Sequence, residues 1–468
     1  MICKKNFKKG DVLLEENKMG VMPVNKLILN MSLPIIISML VQALYNVVDS
    51  VFVGMVNEQS LTAVSLAFPA QNLMIGVATG TGVGINALIS RYLGEKKPEQ
   101  ANNIAKNGVF LAVVSAIVFT VLGIFGSEFF MRSQTDVPYI IEQGTYYMQI
   151  VCGACMGIFI EITYERLLQS TGRTFQTMIT QGVGAIINII LDPIFILVFK
   201  MGVRGAAIAT VIGQIVAAIL AIVINTRSNK EITLDFKGFK PNGKMIGRIY
   251  EIGVPSIIMV AIGSVMTYSM NKILITYTSG KETAATVFGA FFKLNSFVCM
   301  PIFGLNNGVI PIVAYNYGAR KKNRMKKTIK LSVIYAEIFS LIGTMLFIAM
   351  PKTLLGLFSA SETMLEIGVP ALRIIGTSFL FAGFNIAMGA TFQATGKSVY
   401  SMIVSFVRQL VVLVPVAYLL ARYGMSVGND DLVWLSYPIA EIASLTMTII
   451  FYISTNKKII KPLPDEEM

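Results

Sequence analysis

The sequence predicts an all-α polytopic membrane protein, with twelve transmembrane helices in two six-helix lobes related by a pseudo-twofold axis along the membrane normal. Three observations support this fold class: an apolar composition, twelve apolar runs separated by polar breaks, and an internal repeat. Hydrophobic residues make up 54% of the 468 positions, charged residues make up 14%, and the mean hydropathy is +0.67. Soluble domains carry about 25% charged residues. The composition therefore favours a chain embedded in lipid.

Twelve apolar runs have the length of about 20 residues that a helix needs to cross a bilayer. Prolines inside these runs, such as Pro34 and Pro255, are expected to bend the helices. The runs divide the chain into an N-terminal segment (1–26), a first lobe (27–226), a linker (227–248), a second lobe (249–455) and a tail (456–468). The predicted spans are residues 27–56, 60–90, 104–126, 139–165, 174–199, 204–226, 249–279, 283–316, 328–350, 364–394, 398–421 and 432–455.

The Lys and Arg residues are concentrated in alternate connections between the spans. Of 39 such residues, 29 lie on the side of the two termini and 6 lie in the other connections. Positively charged loops remain in the cytoplasm, so both termini are predicted to be cytoplasmic. The net charge of +13 is then explained by topology and anionic lipid, and we expect no nucleic-acid partner.

The two halves of the chain repeat each other. Gly94 and Gly172 recur at one common offset as Gly318 and Gly396, in each case within a similar polar turn. Each half holds six spans, so both halves enter the membrane in the same sense. The repeat therefore predicts an axis along the membrane normal.

Span 1 contains one charged residue, Asp49. A carboxylate inside a spanning helix costs about 2.5–3.5 kcal/mol on insertion scales, so it is a functional candidate. Gln42, Tyr45 and Asn46 lie on the same helical face as Asp49, at positions i, i+3, i+4 and i+7. This polar stripe indicates contact with water or protein.

Four more polar side chains are predicted at the depth of Asp49. At 1.5 Å per residue, Asp49 and Asp192 each lie about 10 Å from the outer ends of spans 1 and 5. Asn188 lies one turn before Asp192, Thr210 reaches the same level in span 6, and Tyr147 reaches it in span 4. The counting therefore predicts one polar site in the first lobe.

Three interpretations of this site are open. Two carboxylates in a small, partly dry site repel each other, which favours proton uptake by one of them. The same oxygens could instead ligate Na⁺, and we predict no other metal site. Alternatively, each side chain forms a local hydrogen bond that supports packing. The candidate Na⁺ ligands are Asp49, Asn188, Asp192 and Thr210.

Other polar residues inside the spans are assigned less specific roles. Gating or ion-pair roles are expected for Glu161, for Glu165 with its neighbour Arg166, and for Arg408. Glu441 is expected to pair with Arg373 or a lysine. Cys152 and Cys155 lie inside a span, which favours helix packing over redox or zinc chemistry. No nucleotide loop or catalytic constellation is present, so we expect no enzymatic activity and no cofactor. The candidate substrate-cavity residues are Tyr45, Asn46, Met270 and Lys272.

Four motifs occur together between about Asn25 and Thr455. They are Gln42 with Asp49, Asn188-x-x-x-Asp192-Pro193, Gly205 to Thr210, and the Gln-x-Thr-Gly turns at 169–172 and 393–396. With these motifs the chain resembles the multidrug and toxic compound extrusion (MATE) family, within it the MepA-like bacterial branch. The resemblance implies a V-shaped pair of lobes around a central cavity, in the inner membrane of a bacterium. It also implies a monomeric secondary transporter that exports amphipathic, often cationic, drug-like compounds in exchange for H⁺ or Na⁺, and so confers antibiotic resistance.

The resemblance also implies a cation site in the first lobe. Some branches of the family use acidic residues of spans 7 and 10 to bind the cation. This chain has Lys272 and Arg373 as the charged residues there, which favours coupling in the first lobe. The alternative is a flippase for lipid-linked precursors from the same superfamily. The implied coupling residues are Gln42, Asp49, Tyr147, Asn188, Asp192 and Thr210.

Overall fold

The computed structural model describes residues 17–279, 281–358 and 360–464. Throughout these ranges the regular structure is helical, with α-helices, three π-helical segments and one 3-10 helix. Most of the predicted N-terminal segment, including Cys3, and the last four residues of the tail lie outside the described residues. The all-α prediction is confirmed.

Within residues 17–279, 281–358 and 360–464, ten continuous helices and two bent helix pairs are long and apolar enough to cross a membrane, which gives twelve spans when each pair counts as one. Spans 1 to 6 are Val24–Val56, Gln59–Gly94, Pro98–Arg132, Pro138–Gly153 with Met156–Ser170, Thr174–Val198 and Val203–Ser228. Spans 7 to 12 are Gly243–Tyr277, Thr283–Gly318, Lys322–Ala349, Glu362–Gly376 with Phe379–Ala394, Ser398–Val427 and Asp430–Ile460.

Several helices extend into predicted loops. Span 3 is longer at both ends than its apolar core at 104–126, because its first turns are polar but still helical. Span 7 begins inside the predicted linker, where the side chain of Asn242 accepts a hydrogen bond from the Lys244 amide at 3.0 Å. Such capping satisfies an amide that the first helical turn leaves free. The connection between spans 6 and 7 is therefore only residues 229–242.

Spans 4 and 10 are bent by 45° and 50°, at repeat-related breaks around residues 154–155 and 377–378. Pro34 and Pro255 lie inside helices that continue through them, whereas the residues at the two breaks include no proline. Thr120 donates to the Cys152 carbonyl at 3.3 Å, and Thr344 donates to the Gly376 carbonyl at 3.1 Å. These two hydroxyls, which occupy equivalent positions in the repeat, satisfy carbonyl groups that the breaks expose inside the bundle.

One face of the bundle carries the 229–242 connection and both ends of the described chain, and we call it the linker face. There spans 2 and 8 cross with their backbones in contact. A Cβ atom on Gly94 would overlap the carbonyl oxygen of Tyr315, and one on Gly318 would overlap that of Arg91. The internal repeat relates Gly94 to Gly318 and Arg91 to Tyr315, so the pseudo-twofold axis passes through this crossing.

Further glycine contacts join the lobes between the linker face and the middle of the bundle. Gly80 of span 2 packs on Gly253 of span 7, and Gly308 of span 8 packs on Ser32 of span 1. Among the described glycines, the contact between lobes that lies furthest from the linker face is that of Gly76 with Val260. The lobes therefore close against each other at the linker face, and these contacts do not continue to the opposite face.

Residues 17–22 also connect the two lobes at the linker face. Asn17 donates to the Thr171 carbonyl of the first lobe at 3.1 Å. Asn316 of the second lobe donates to the Met19 carbonyl at 3.1 Å, and Arg324 donates to the Met22 carbonyl at 2.7 Å. This short segment therefore stabilises the closed arrangement.

The Gly94 crossing makes a testable prediction. The variant Gly94→Val should force spans 2 and 8 apart at the linker face, because the added side chain has no space. We expect a cysteine at Asn307, which lies in the closed region, to react about tenfold faster with a maleimide, as a shift of about 1.4 kcal/mol would give. Labelling of purified protein with Cys3 replaced by Ser measures this.

Gly126→Val is the matched control, because a Cβ at Gly126 meets no atom within 4 Å. Equal labelling of the Gly94 and Gly126 variants would show that the crossing does not hold the lobes closed.

Candidate functional site

The polar site of the first lobe is built around span 5. Asn188 donates through its amide nitrogen to an Asp192 carboxylate oxygen and to the Thr210 hydroxyl, both at 3.3 Å. The side chains of Asn188 and Asp192 lie on one helical face because they are four residues apart. Both residues are buried, Asp192 completely.

The local backbone explains how Thr210 reaches span 5. Beyond Pro193, span 5 continues as a π-helical segment, Ile194–Val198. Gly205 of span 6 packs directly on this segment, where a Cβ would lie 2.8 Å from the carbonyl carbon of Phe195. The close approach of spans 5 and 6 brings Thr210 within hydrogen-bond distance of Asn188.

Three buried oxygens at this site accept no hydrogen bond from the described residues. They are the Oδ1 atoms of Asp49 and Asn188 and the Oδ2 atom of Asp192. A buried acceptor without a donor is costly, and a buried carboxylate without a counter-charge is more so. The donor set therefore fits a bound proton or a monovalent cation such as Na⁺.

Spans 1 and 4 add the remaining candidate side chains. Tyr45 lies one helical turn after Gln42 and within electrostatic range of Asp49, Asp192 and Glu161. Asp192 is likewise within electrostatic range of Asp49. The structure thus brings these side chains of spans 1 and 5 into one region.

Tyr147 lies near Asp49 but has a partner that the sequence did not indicate. Its hydroxyl donates to the Gln71 side chain of span 2 at 3.2 Å. Gln71 is a polar side chain within a long apolar span. Its polarity could have identified it as a candidate site residue. The coupling roles of the six candidate residues stay predictions.

A cavity of about 180 Å³ extends from this site toward the linker face. Asn188, Thr210 and Gln42 line it, and so do Glu161 and Glu165 of span 4. Its polar lining continues to the place where the two lobes meet. The other polar lining residues are Ser38, Tyr45, Thr79, Arg166, Gln169, Gln181, Gln214 and Asn307.

Glu165 and Arg166 have separate partners rather than forming the ion pair that their positions suggested. The Glu165 carboxylate accepts hydrogen bonds from Thr180 at 2.8 Å and from Gln181 at 2.7 Å. The Arg166 guanidinium donates to Gln169 at 2.8 Å and to Asn307 of span 8 at 3.2 Å. Arg166 therefore contacts the second lobe.

The second lobe contains a buried ion pair. Arg408 donates to Glu441 at 2.6 Å, and Asn385 donates to the other Glu441 oxygen at 2.9 Å. Arg408 therefore has the ion-pair role predicted for it. The prediction that Glu441 pairs with Arg373 or a lysine was wrong.

The candidate substrate-cavity residues do not form one pocket. Met270 is fully buried in the apolar core of the second lobe, which contradicts its assignment to a cavity lining. Asn46 and Lys272 are exposed, and Tyr45 lines the first-lobe cavity. A substrate surface is therefore not defined by these four residues.

The MatE family model matches residues 34–194 and 255–419. The chain belongs to the MatE family. The two matched segments begin at the repeat-related Pro34 and Pro255, so each lobe carries its own copy of the MatE pattern. Asp49, Asn188 and Asp192 lie within the first copy.

Similar curated proteins are named multidrug export proteins. The chain is 28% identical over 430 residues to MepA of Staphylococcus haemolyticus (strain JCSC1435), covering 91% of this chain and 93% of that protein. It is 26% identical over 434 residues to MepA of Staphylococcus aureus (strain MRSA252), covering 92% and 94%.

Solved structures share the MatE fold. A MOP superfamily transporter from Pyrococcus furiosus aligns with a TM-score of 0.89 at 24% identity, over 95% of this chain and 99% of that one. A MATE structure in complex with MaL6 aligns with a TM-score of 0.89 at 25% identity and the same coverage. The two-lobe fold is thus shared by this MatE chain.

The Arg408 to Glu441 pair makes a second prediction. Arg408→Met should leave Glu441 buried without its counter-charge and destabilise the protein by about 2–3 kcal/mol. This is less than the roughly 3–5 kcal/mol of a fully buried pair, since the Arg408 side chain is 31% exposed. Thermal unfolding of the purified protein in detergent measures the change.

The double variant Arg408→Met with Glu441→Leu should recover most of the loss, and Arg373→Met at an exposed position should have little effect. If the double variant is no more stable than Arg408→Met alone, the pair does not act as described.

Proposed function

We propose that this MatE chain is a multidrug efflux antiporter that exports amphipathic, often cationic compounds in exchange for H⁺ or Na⁺. The single observation that carries the coupling proposal is the group of buried, unpartnered oxygens on Asp49, Asn188 and Asp192. The MepA relatives, which are named for multidrug export, support the substrate class. The protein acts as a secondary transporter in the inner membrane of a bacterium.

The charge distribution supports a cytoplasmic linker face, because most Lys and Arg residues of the connections lie on that side. With this orientation, the glycine contacts around Gly94 and Gly318 close the cytoplasmic side. The arrangement is then outward-facing, and the site at Asp49 and Asp192 is nearer the outer surface than the inner one.

In this arrangement a cation enters from outside and meets two carboxylates in a buried site. Proximity of two negative charges in an apolar environment gives the site high affinity for one positive charge. Binding lets span 1, which carries Asp49, draw toward Asp192 of span 5. The drug site then changes shape, and the drug leaves to the outside.

Coupling requires that the cation and the drug prefer different states of the protein. If cation binding lowers the affinity for the drug by some factor, drug binding lowers the affinity for the cation by the same factor. After the drug has left, the lobes open toward the cytoplasm, the cation dissociates there, and a new drug molecule binds.

The second lobe supports the placement of cation exchange in the first. Its buried acid, Glu441, already has a fixed cation, the guanidinium of Arg408. An arginine side chain stays charged at any physiological pH and cannot leave its site. Among the described residues, no Lys or Arg forms an ion pair with the first-lobe acids Asp49 and Asp192.

A lipid-linked pyrophosphate would be recognised by cations that converge in the cleft, and the candidate cations for this alternative are Lys272, Lys293 and Arg373. Lys272 and Arg373 are exposed, and the Lys293 ammonium lies over the Phe358 ring, 6.0 Å from its centroid. The contacts of the described residues therefore do not favour the flippase alternative.

The main prediction concerns Asp49→Asn, which removes the charge with little change in volume. We expect this variant to reach the membrane in normal amounts and to lose drug resistance, because the site no longer binds the cation. Transport is measured as accumulation of the fluorescent cationic dye ethidium inside everted vesicles, because an exporter moves the dye into their lumen. A pH gradient and a Na⁺ gradient drive the transport in separate runs.

Asp136→Asn, at an exposed position between spans 3 and 4, is the matched control and should transport normally. The gradient that drives the parent protein identifies the coupling ion. Parental efflux by Asp49→Asn under both gradients would refute the proposed coupling role.

A further inference from the structure

The first-lobe cavity continues well beyond the Asp49 and Asp192 site, and its inner part contains a second pair of acids. Its volume of about 180 Å³ has room for several water molecules, which occupy about 30 Å³ each in the liquid. Asn188 and Thr210 line one end, and Glu161 and Glu165 lie further toward the linker face. The lining does not include Asp49 or Asp192 themselves, but it includes Asn188, which donates a hydrogen bond to Asp192. The cavity therefore connects the neighbourhood of the Asp192 site with Glu161 and Glu165.

Glu161 faces this space without a donor for one of its oxygens. The residue is 8% exposed, and no described residue donates a hydrogen bond to its Oε2 atom. Gln214, which is 9% exposed and belongs to span 6, also has an unpartnered oxygen in the lining. Unpartnered buried oxygens from two different spans indicate a ligand that is positively charged or donates hydrogen bonds.

The depths of the acids place them in sequence along the cavity. At 1.5 Å per residue, Glu161 lies about 13 Å and Glu165 about 7 Å from the linker-face end of span 4 at Ser170. They lie on one helical face, four residues apart. Tyr45 of span 1 lies within electrostatic range of both Glu161 and Asp192. It therefore connects the two acid pairs.

The charged groups around Glu161 come from few elements. Span 4 supplies Glu165 and Arg166, and span 1 supplies Tyr45, which is also within electrostatic range of Asp49 and of Asp192 of span 5. Span 6 contributes the neutral side chains Thr210 and Gln214, and span 8 contributes Asn307.

The linker-face end of the cavity is closed by a contact between the lobes. Arg166 reaches Asn307 of the second lobe at 3.2 Å. It passes Gly82 of span 2, where a Cβ atom would lie 2.8 Å from the Arg166 side chain. When the lobes separate at the linker face, this contact must break, and the cavity then opens on that side.

The internal repeat shows that the acid pair is specific to the first lobe. The second-lobe positions that correspond to Glu161 and Glu165, at the offset that relates Gly94 to Gly318, are Asn385 and Gly389. Asn385 is occupied in a hydrogen bond to Glu441, at 2.9 Å. The acids are therefore not required by the shared fold of the lobes.

From these observations we infer that Glu161 and Glu165 are a second binding station for the coupling cation, which passes to them from Asp49 and Asp192 and leaves to the cytoplasm when the Arg166 to Asn307 contact opens. The inference rests on the proposed antiport function. For a proton, each acid takes the proton from the preceding carboxyl and returns to its anionic form when the next acceptor, finally water, removes it.

The test compares two transport modes of the full-length protein in proteoliposomes. Gradient-driven ethidium uptake requires the cation to complete its route, whereas ethidium counterflow without a gradient does not. For Glu161→Gln and Glu165→Gln we expect at least about a tenfold loss of gradient-driven uptake, with counterflow within about twofold of the parent. Glu251→Gln, at an exposed position of span 7, is the matched control.

Two results would overturn the inference. The first is gradient-driven uptake within twofold of the parent in both Gln variants. The second is an equal loss of uptake and counterflow, as a packing role would give. Glu161→Asp, which keeps a carboxylate, should recover gradient-driven uptake, and failure to do so while counterflow persists also counts against the inference.

A binding measurement separates this inference from the proposed function. Added cation should release ethidium from the purified, outward-facing protein in both Gln variants, because the outer site is intact. Asp49→Asn should abolish that release. If the cation releases ethidium from Asp49→Asn as it does from the parent, the proposed function fails. If Asp49→Asn loses this release but the Gln variants transport like the parent, only the second binding station fails.

Discussion

The structure depends on one electrostatic constraint: carboxylates are buried in an apolar bundle, and only some of them have an internal counter-charge. In the second lobe, Glu441 is neutralised by Arg408 and further bonded by Asn385. In the first lobe, Asp49 and Asp192 each have a buried oxygen for which the described part of the chain supplies no donor. Because unpaired buried charge is expensive, we propose that the first lobe takes up an external cation at these acids. The two lobes thus share a fold but differ in whether their buried acids have an internal counter-charge.

The packing between the lobes determines which arrangements the two lobes can adopt. Spans 2 and 8 cross at Gly94 and Gly318 with backbone in contact, a fit that excludes even one methyl group. Such a contact is either fully formed or absent, since packed backbones do not deform continuously. The closed linker face is therefore one discrete state. Arg166, which contacts Asn307 across the lobes, connects this state to the polar cavity of the first lobe.

Sequence reasoning predicted the fold class and the depth of the site well, because both depend on counting along helices of known rise. Asn188, Asp192 and Thr210 were expected at one level, and they are in hydrogen-bond contact. Pairing between spans was predicted poorly, since it depends on how each helix is rotated about its axis. Arg408 rather than Arg373 pairs with Glu441 for this reason. The bends of spans 4 and 10 were missed because they contain no proline at the break.

The central claim is that one monovalent cation occupies the Asp49 and Asp192 site and is displaced when a drug binds. Its most direct test is to add ethidium to purified protein in weakly buffered solution and to count the H⁺ or Na⁺ released per dye bound. Linkage between the two ligands predicts a release of about one cation in the parent protein and close to none in the double variant Asp49→Asn with Asp192→Asn. Dye binding that releases no cation from the parent, or the same number from the double variant, would contradict the account.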